Sequence, residues 1–523
     1  MTPRETTDSP ETTSAALWND GVVANRTSVT GSPRGPLCGM GVCFECRTSL
    51  EGRGQVRACM HRAVRPDPLE PEIACDVAVV GGGPAGIAAA AVAAESGASV
   101  LLIDENPLPG GQIWRHAGGP SGAARAWIER LARSGARLIG GGAVWDAAVV
   151  EGAAFASGID RPTRVTLWVS RGEVSSRVRC RAIIIATGAR ELFLPFPGWT
   201  LPNVLGLGGV QALSKQGARF EGRRVLLAGS GPLLLPVAAT LTTAGAQVIA
   251  VAEQAPLASL LRFARNWPGK AIDAARHRAA FLETPFRPGT WVAEAIGDDR
   301  VREVQLAGAR SERIAVDVLA VGYGLSPNHE LPRHLECQLE EGFVRVSDDQ
   351  ETTIPGVFCA GEPTGIAGVE SALAQGEIAG LAATHRAPTD RLRRARARGM
   401  ALRRDLERTF ALRPELRLLA RPETIVCRCE DVTLGTLSEI ADVEGPRAAK
   451  LYTRAGMGAC QARICGPALQ QLRGWGPDTV RSPLKPVTIA ELEAATTPAW
   501  SEISTTVASG APGPEPVSLG VKS

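Results

Sequence analysis

Eight of the twelve cysteines fall into two quartets, one near each end of the chain, with spacing that suits iron–sulfur chemistry. Cys38, Cys43, Cys46 and Cys59 run as C-x4-C-x2-C-x12-C. Cys427, Cys429, Cys460 and Cys465 run as C-x-C-x30-C-x4-C. Thiolates hold iron–sulfur clusters, and the x4-then-x2 triple is a [2Fe–2S] ligand run. Structural zinc is the competing reading, but zinc usually joins one C-x2–4-C pair to a second such pair. Gly39 and Gly41 let the first loop wrap a cluster with its N–H groups turned inward, contacts that raise a reduction potential. Gly456, Gly458 and Gly466 give the second loops the same room. Two clusters flanking a flavin would split a two-electron hydride into single electrons.

The pattern for such a flavin lies between the quartets. Gly81, Gly83 and Gly86 form G-x-G-x-x-G around Pro84 and Ala85. A strand is expected at Asp76–Val80 and a helix at Ile87–Glu95. Gly81 permits the tight turn, Gly83 lets backbone approach a pyrophosphate, and Gly86 lets helix and strand pack closely. The free N–H groups of the helix start then face the phosphates. Asp104, eighteen residues after Gly86, ends the next strand where a carboxylate binds a ribose hydroxyl, and Glu105 follows it. Gly111 and Gln112 come soon after. Thr187 and Gly188 close a hydrophobic strand, and Gly361 and Glu362 precede a helix beginning near Gly368. This order favours FAD over NAD, and Val144 joins the same set of cofactor-binding candidates.

A second unit, RRVLLAGSGPLLLPVAATLTTAGAQVIAVAE, repeats the logic imperfectly. Gly229 and Gly231 match the first two glycines, but Leu234 replaces the third and is expected to push the helix off the strand. Pro236 in the early helix is expected to add distortion. Ala252 holds the place of Asp104, with Glu253 one residue late. Gly229, Gly231 and Glu253 are the candidate nicotinamide residues. NAD(P) binding stays open, and a retained scaffold is the preferred reading.

Alternating strands and helices imply an α/β fold with parallel sheets, here two Rossmann-like dinucleotide-binding domains. The expected division is 1–71 for a [2Fe–2S] module, 72–220 and 326–390 for the FAD-binding parts, 221–325 for the degenerate NAD-binding-like domain, 391–422 for a basic helical linker, 423–496 for a second [2Fe–2S] domain and 497–523 for a disordered tail. The 523 residues require several cores. A net charge of +3 gives no reason to invoke nucleic acid or an anionic membrane. The basic run RLRRARARGMALRRDLER reads as a solvated helix or one leaning on acidic neighbours. No apolar run reaches the ~18 residues of a transmembrane span, and the N-terminus lacks a secretory apolar region. Cysteines in that setting read as ligands in a reducing cytoplasm, with membrane association only through partners.

From about Gly35 to Leu492 the chain resembles the FAD/[2Fe–2S] electron-transfer subunits of amine and amino-acid dehydrogenases. These are the A- and B-type subunits of hydrogen cyanide synthase fused in one chain, the A-type subunits of opine oxidases, and the α subunits of proline, hydroxyproline and sarcosine dehydrogenases. The resemblance is carried by CGMGVCFEC, GGQIWR, FPGWTLPNV, GSGPLLLP, AGEPTGIAGVESALAQG and CRCEDV…GMGACQARICGP. The central order is similar to thioredoxin-reductase-like flavoproteins, and the second quartet resembles the bacterioferritin-associated-ferredoxin-like [2Fe–2S] domain. The resemblance implies that Gly361 and Glu362 meet the ribityl chain or pyrophosphate, although the family usually has Asp at the second position. It implies that the following helix points its positive end at the flavin pyrimidine ring. The superfamily's C-x-x-C is absent, so electrons would leave through the clusters. A partner FAD subunit similar to D-amino-acid and glycine oxidases is implied as the site of amine oxidation. The plant-type [2Fe–2S] fold starts with a β-hairpin before the helix corresponding to Thr13–Asn19; little precedes it here, so a truncated module is expected.

No catalytic acid–base set stands out. His61, His116, His277, His329, His334 and His385 are scattered, with packing or surface roles expected. Cys75, Cys180, Cys337 and Cys359 are isolated and read as small buried hydrophobes. An electron-transfer subunit needs no general base. The alternatives are a stand-alone NAD(P)H:acceptor reductase, weakened by Leu234, and a zinc- or iron-sensing interaction protein, weakened by the complete FAD fingerprint. The amine and the electron acceptor are not legible.

Overall fold

A computed structural model describes residues 11–50, 54–62, 69–116, 119–120, 122–153, 163–172, 174–476 and 479–496. The expected tail from 497 lies outside them.

The apolar run before the first glycine turn forms the strand Glu72–Val80, buried from Val77 onward. It pairs in parallel with Val100–Asp104, whose five residues are all buried. Parallel strands covered on both faces read as such continuous apolar runs. The alanine-rich helix Pro84–Glu95 covers one face and is buried from Ala85 to Ala93. The long strand Val174–Ile185 serves two arrangements. Its first part pairs antiparallel with Thr163–Arg171; along its length it pairs in parallel with Glu72–Val80, and its end with Val357–Cys359. The late segment thus returns to the first sheet and feeds the helix Val369–Ala383. That helix lies directly on Pro84–Glu95: a Cβ on Gly376 or Gly380 would stand 2.1 or 2.6 Å from the carbonyl oxygens of Ala85 or Ala89.

The second unit is a five-stranded parallel sheet in the order Val204–Gly206, Val318–Gly322, Arg224–Gly229, Gln247–Glu253, Phe286–Pro288. A three-stranded antiparallel meander, residues 290–315, adjoins it. The structure departs from expectation at two residues. Pro236 is the third residue of the helix Leu234–Thr243, where a missing N–H costs no intrahelical bond, so it introduces no break. Glu253, not Ala252, takes the place of Asp104: it pairs with Gly229 at the strand end, because a register shift between Val225 and Leu226 absorbs one extra residue. Leu234 stands where the first unit has Gly86. It is fully buried, and the helix begins there, three residues beyond Gly231, whereas the first helix begins directly after Gly83.

The terminal modules dock on this body. The helix Thr13–Asn19 is anchored by Trp18, whose Nε1 donates to the Arg219 carbonyl at 3.0 Å and whose ring meets Phe220. The C-terminal module holds the short strands Ile425–Cys427 and Val432–Thr433. Its helix Leu434–Thr453 is broken at Gly445, and the helices Cys465–Arg473 and Ile489–Thr496 follow. One continuous core contains Leu37, Cys38, Met40 and Cys43, the central Phe193 and Trp199, and Cys427, Cys429, Cys460 and Cys465. The basic helix Asp390–Thr409 leans on acidic neighbours: Arg393 pairs with Asp349 at 3.0 Å, Arg396 with Asp348 at 2.8 Å and Arg403 with Glu341 at 3.5 Å. Among the described residues no helix is long and apolar enough to cross a membrane.

Candidate flavin and electron-transfer site

A cavity of about 360 Å3 opens at the carboxyl ends of the first sheet, where ligands of open α/β sheets bind. Its wall brings together Gly81, Gly83, Pro84 and Ala85 of the glycine turn, Asp104 and Glu105 of the next strand end, Gly111, Gln112 and Val144, Thr187 and Gly188, and Gly361, Glu362 and Gly368. Gly86 stays behind the wall, where a Cβ would stand 1.7 Å from the Gly81 carbonyl oxygen. It sets the close packing of helix and strand.

The wall fits a dinucleotide. Gly188 and Gly368 have no protein atom within 4 Å of a Cβ position, and Gly83 has only Gly111 Cα at 4.0 Å. Side chains there would project into the space that backbone leaves open for a cofactor. Asp104 is 7 % exposed and accepts the Gly82 N–H, the Asn106 N–H at 2.6 Å and the Asn106 side chain at 2.8 Å. Burial raises its pKa against those bonds. The first turn of Val369–Ala383 faces the cavity through Gly368, Val369 and Ala372, presenting unpaired N–H groups and the positive end of a helix dipole. Burial pushes Glu362 up to about 6, opposed by a backbone bond from Ala189.

Several wall residues escaped sequence reasoning. Glu105 does not stand free: Lys485, from the C-terminal module, pairs with it, and Arg57 lies 3.9 Å away. Burial would raise the Glu105 carboxyl, but these cations hold it down at about 2. Glu191 accepts N–H bonds from Gly208 at 2.8 Å and Gly209 at 3.2 Å, at the start of the helix Leu207–Lys215. Burial pushes it up to about 8. Met40 and Val42 reach the wall from between Cys38 and Cys43, and Arg463 reaches it from between Cys460 and Cys465. The only sequence signal for Glu191 is its place just after the Thr187–Ala189 turn; Lys485 and Arg463 have none.

The eight quartet cysteines are all buried. Their thiols stand in pairs: Cys38 with Cys43, Cys46 with Cys59, Cys427 with Cys465, and Cys429 with Cys460. In the first loop the Met40 N–H points at Cys38 Sγ (3.4 Å), that of Glu45 at Cys43 Sγ (3.5 Å) and that of Cys59 at Cys46 Sγ (3.4 Å). Burial opposes ionisation of Cys38, yet the neighbouring thiol and backbone N–H groups bring it down to about 6. The Cys465 thiol, then burial and backbone bonds, leave Cys427 at about 6 as well. A [2Fe–2S] unit takes two thiolates on each iron, so paired thiols fit it.

The second glycine turn is different. Gly231 N–H donates to Glu253 Oε2 at 2.8 Å, so Gly229, Gly231 and Glu253 do assemble. The chain then covers them. Ser230 Oγ donates to the Phe410 carbonyl at 3.2 Å, Gln254 Nε2 to the Ala411 carbonyl at 3.1 Å, and Arg413 N–H to Gln254 Oε1 at 3.2 Å. Gly231 is buried, whereas Gly83 is half-buried. None of the six histidines lines the flavin cavity. His334 instead binds Asp146 at 2.8 Å, and His61 binds Thr13 at 2.8 Å. The remaining cysteines are unpaired, and burial pushes Cys180 up to about 12.

Two parallel-sheet units, a dinucleotide cavity and a cysteine-loop module in front define an FAD-dependent oxidoreductase with an iron–sulfur domain. The chain belongs to the pyridine nucleotide-disulphide oxidoreductase family, which it matches over residues 75–376. Residues 6–66 match the 2Fe-2S iron-sulfur cluster binding domain. Similar chains include the A-type subunit of opine oxidase from Rhizobium meliloti (strain 1021), 32% identical in an alignment of 463 positions that covers 80% of this chain and 98% of that one. The HcnB subunit of hydrogen cyanide synthase from Pseudomonas aeruginosa is 33% identical in an alignment of 428 positions that covers 74% of this chain and 90% of the relative. Among solved structures, L-proline dehydrogenase from P. horikoshii aligns with a TM-score of 0.64 at 18% identity, covering 92% of this chain and 94% of that one. That likeness is one of fold.

Proposed function

We propose that this chain is the electron-transfer subunit of an amine or amino-acid dehydrogenase complex of the opine, glycine (cyanide-forming), proline, hydroxyproline or sarcosine class. It would carry FAD and two [2Fe–2S] clusters, held by Cys38, Cys43, Cys46 and Cys59 and by Cys427, Cys429, Cys460 and Cys465. The observation that carries the reading is the shared wall: Met40, Val42 and Arg463, from inside the two cysteine loops, face the same cavity as Gly81 and Gly83. The relatives named as oxidase and synthase subunits support it.

Bound FAD supplies the exchange between two-electron and one-electron chemistry. The chain's residues hold and tune it. Gly81, Gly83 and the following helix start receive the pyrophosphate, and Asp104 receives the ribose. The N-terminus of Val369–Ala383 favours negative charge on the ring system. Glu191, whose carboxyl burial pushes up to about 8, stands at the cavity wall. The resemblance to amine and amino-acid dehydrogenase subunits implies that amine oxidation belongs to a partner FAD subunit similar to D-amino-acid and glycine oxidases.

The test is anaerobic purification followed by flavin and metal analysis, then stopped-flow mixing with glycine, proline, sarcosine and opines. One flavin and two clusters per chain are expected, with no bleaching until the partner subunit is added. Zinc in both quartets, or rapid bleaching of the isolated chain by an amine, would overturn the reading.

A further inference from the structure

We infer that Glu45 and Arg428 form a junction between the two cysteine loops and are positioning residues through which each quartet senses charge on the other. The inference rests on the reading that both quartets hold [2Fe–2S] clusters.

Glu45 stands between Cys43 and Cys46, and Arg428 between Cys427 and Cys429. Arg428 Nη2 donates to Glu45 Oε2 at 3.2 Å across 383 residues of sequence. Their side chains are 3% and 1% exposed. Arg26 Nη2 donates to Glu45 Oε1 at 2.8 Å and to the Arg428 carbonyl at 3.3 Å. Beside them, Arg34 Nη2 donates to Asp431 Oδ1 at 2.6 Å. The guanidinium of Arg428 lies over the Trp199 ring at 5.0 Å, and its Nη1 donates to the Trp199 carbonyl at 2.9 Å.

Stability alone is a poor reason for such a cluster. The desolvation of buried ion pairs roughly offsets their attraction, and apolar packing would join the modules as well. The neighbours supply a better reason. Two ferric ions, two sulfides and four thiolates sum to a charge of about −2, and reduction adds one electron more. Two such anions in one continuous core repel each other. Three arginines, Arg26, Arg34 and Arg428, face two carboxylates, Glu45 and Asp431, leaving one positive charge in excess at the boundary. That excess favours the reduced state on both sides. One-electron exchange across the junction would oxidise one side and reduce the other, with no bond formed and no proton moved.

The test is EPR and redox titration of the full chain. In the doubly reduced protein, two signals should broaden or split one another, and the effect should vanish when only one site is reduced. Glu45→Gln should shift both midpoint potentials upward and Arg428→Met should shift both downward, while Arg428→Lys stays close to the parent. A purely structural role would not give opposite signs on the far quartet. Two signals without mutual broadening, or substitutions that each move only the quartet of their own loop, would overturn the junction and leave the two-cluster reading standing. A single signal, with iron for one cluster, would overturn both. If Arg428→Met does not fold, the spectra of the parent and of Arg428→Lys decide.

Discussion

Glu253 accepts the Gly231 N–H at 2.8 Å, as Asp104 accepts that of Gly82 in the first dinucleotide unit. Both turns are held by a carboxylate from the end of the next strand, Asp104 binding the second residue of its turn and Glu253 the third. They differ in what lies on top: the first turn faces a cavity, and the second is covered by Phe410–Arg413. NADH and NADPH are therefore expected to leave the flavin oxidised in stopped-flow mixing. Rapid bleaching by either would show that the cover opens and would promote a reductase role.

Replacing Gly83 should separate cofactor binding from folding. Its φ of −76° suits any residue, and a Cβ meets only Gly111 Cα at 4.0 Å. Gly83→Val should fold with a normal circular dichroism spectrum yet lose FAD affinity by about tenfold or more, or ~1.4 kcal/mol. Full flavin content in the folded variant would contradict the cradle.

Gly86 should give the opposite result. A Cβ there falls 1.7 Å from the Gly81 carbonyl oxygen, so even Gly86→Ala must part helix from strand. Overpacking of this kind costs on the order of 1–3 kcal/mol. A lowered melting temperature in the flavin-free protein is the expected reading, and an unchanged one would refute the contact.

Stability should depend on pH through Glu253. Burial raises its carboxyl from 4.5 to about 7, against backbone bonds from Ala255, Gly231 and Gln254. Between those values the folded chain holds a proton that the unfolded chain has lost. Stability from this group is therefore full below about 4.5 and falls as pH rises to about 7. Glu253→Gln should flatten that fall, measured as melting temperature at pH 5 and pH 7.5. An identical slope in the variant would show that Glu253 is already ionised.

If both quartets hold clusters as proposed, Cys429→Ser should remove one iron–sulfur signal and leave the other, because the four cysteines of each quartet belong to one module. Loss of both signals from a folded variant would indicate mixed ligation.

Much of this is legible in local spacing. The glycine turn and its acid follow from short-range rules, whereas the helix Thr13–Asn19 is legible only through the resemblance to the plant-type [2Fe–2S] fold. A count from Gly229 misplaces Glu253 by one residue, because a strand irregularity invisible in the sequence absorbs the extra position. Pro236 looks like a breaker only when the start of its helix is placed too early. The convergence of Met40, Arg463 and Lys485 on one cavity, and the meeting of Glu45 with Arg428, cannot be read at all. They depend on how separate modules pack, and no spacing rule spans hundreds of residues.

The N-terminal cysteine loop rests on bare backbone. A Cβ on Gly209 would stand 2.2 Å from the Leu37 carbonyl oxygen, and one on Gly39 would stand 2.8 Å from that of Gly209. At these two points backbone meets backbone, and the side chains of Met40 and Ala212 fill in beside them between the loop and the helix Leu207–Lys215. Whatever the loop carries is bolted to the flavin domain, and charge must cross a fixed gap rather than ride on a swinging arm. The internal transfer rate should then be the same in buffer and in viscous glycerol solution.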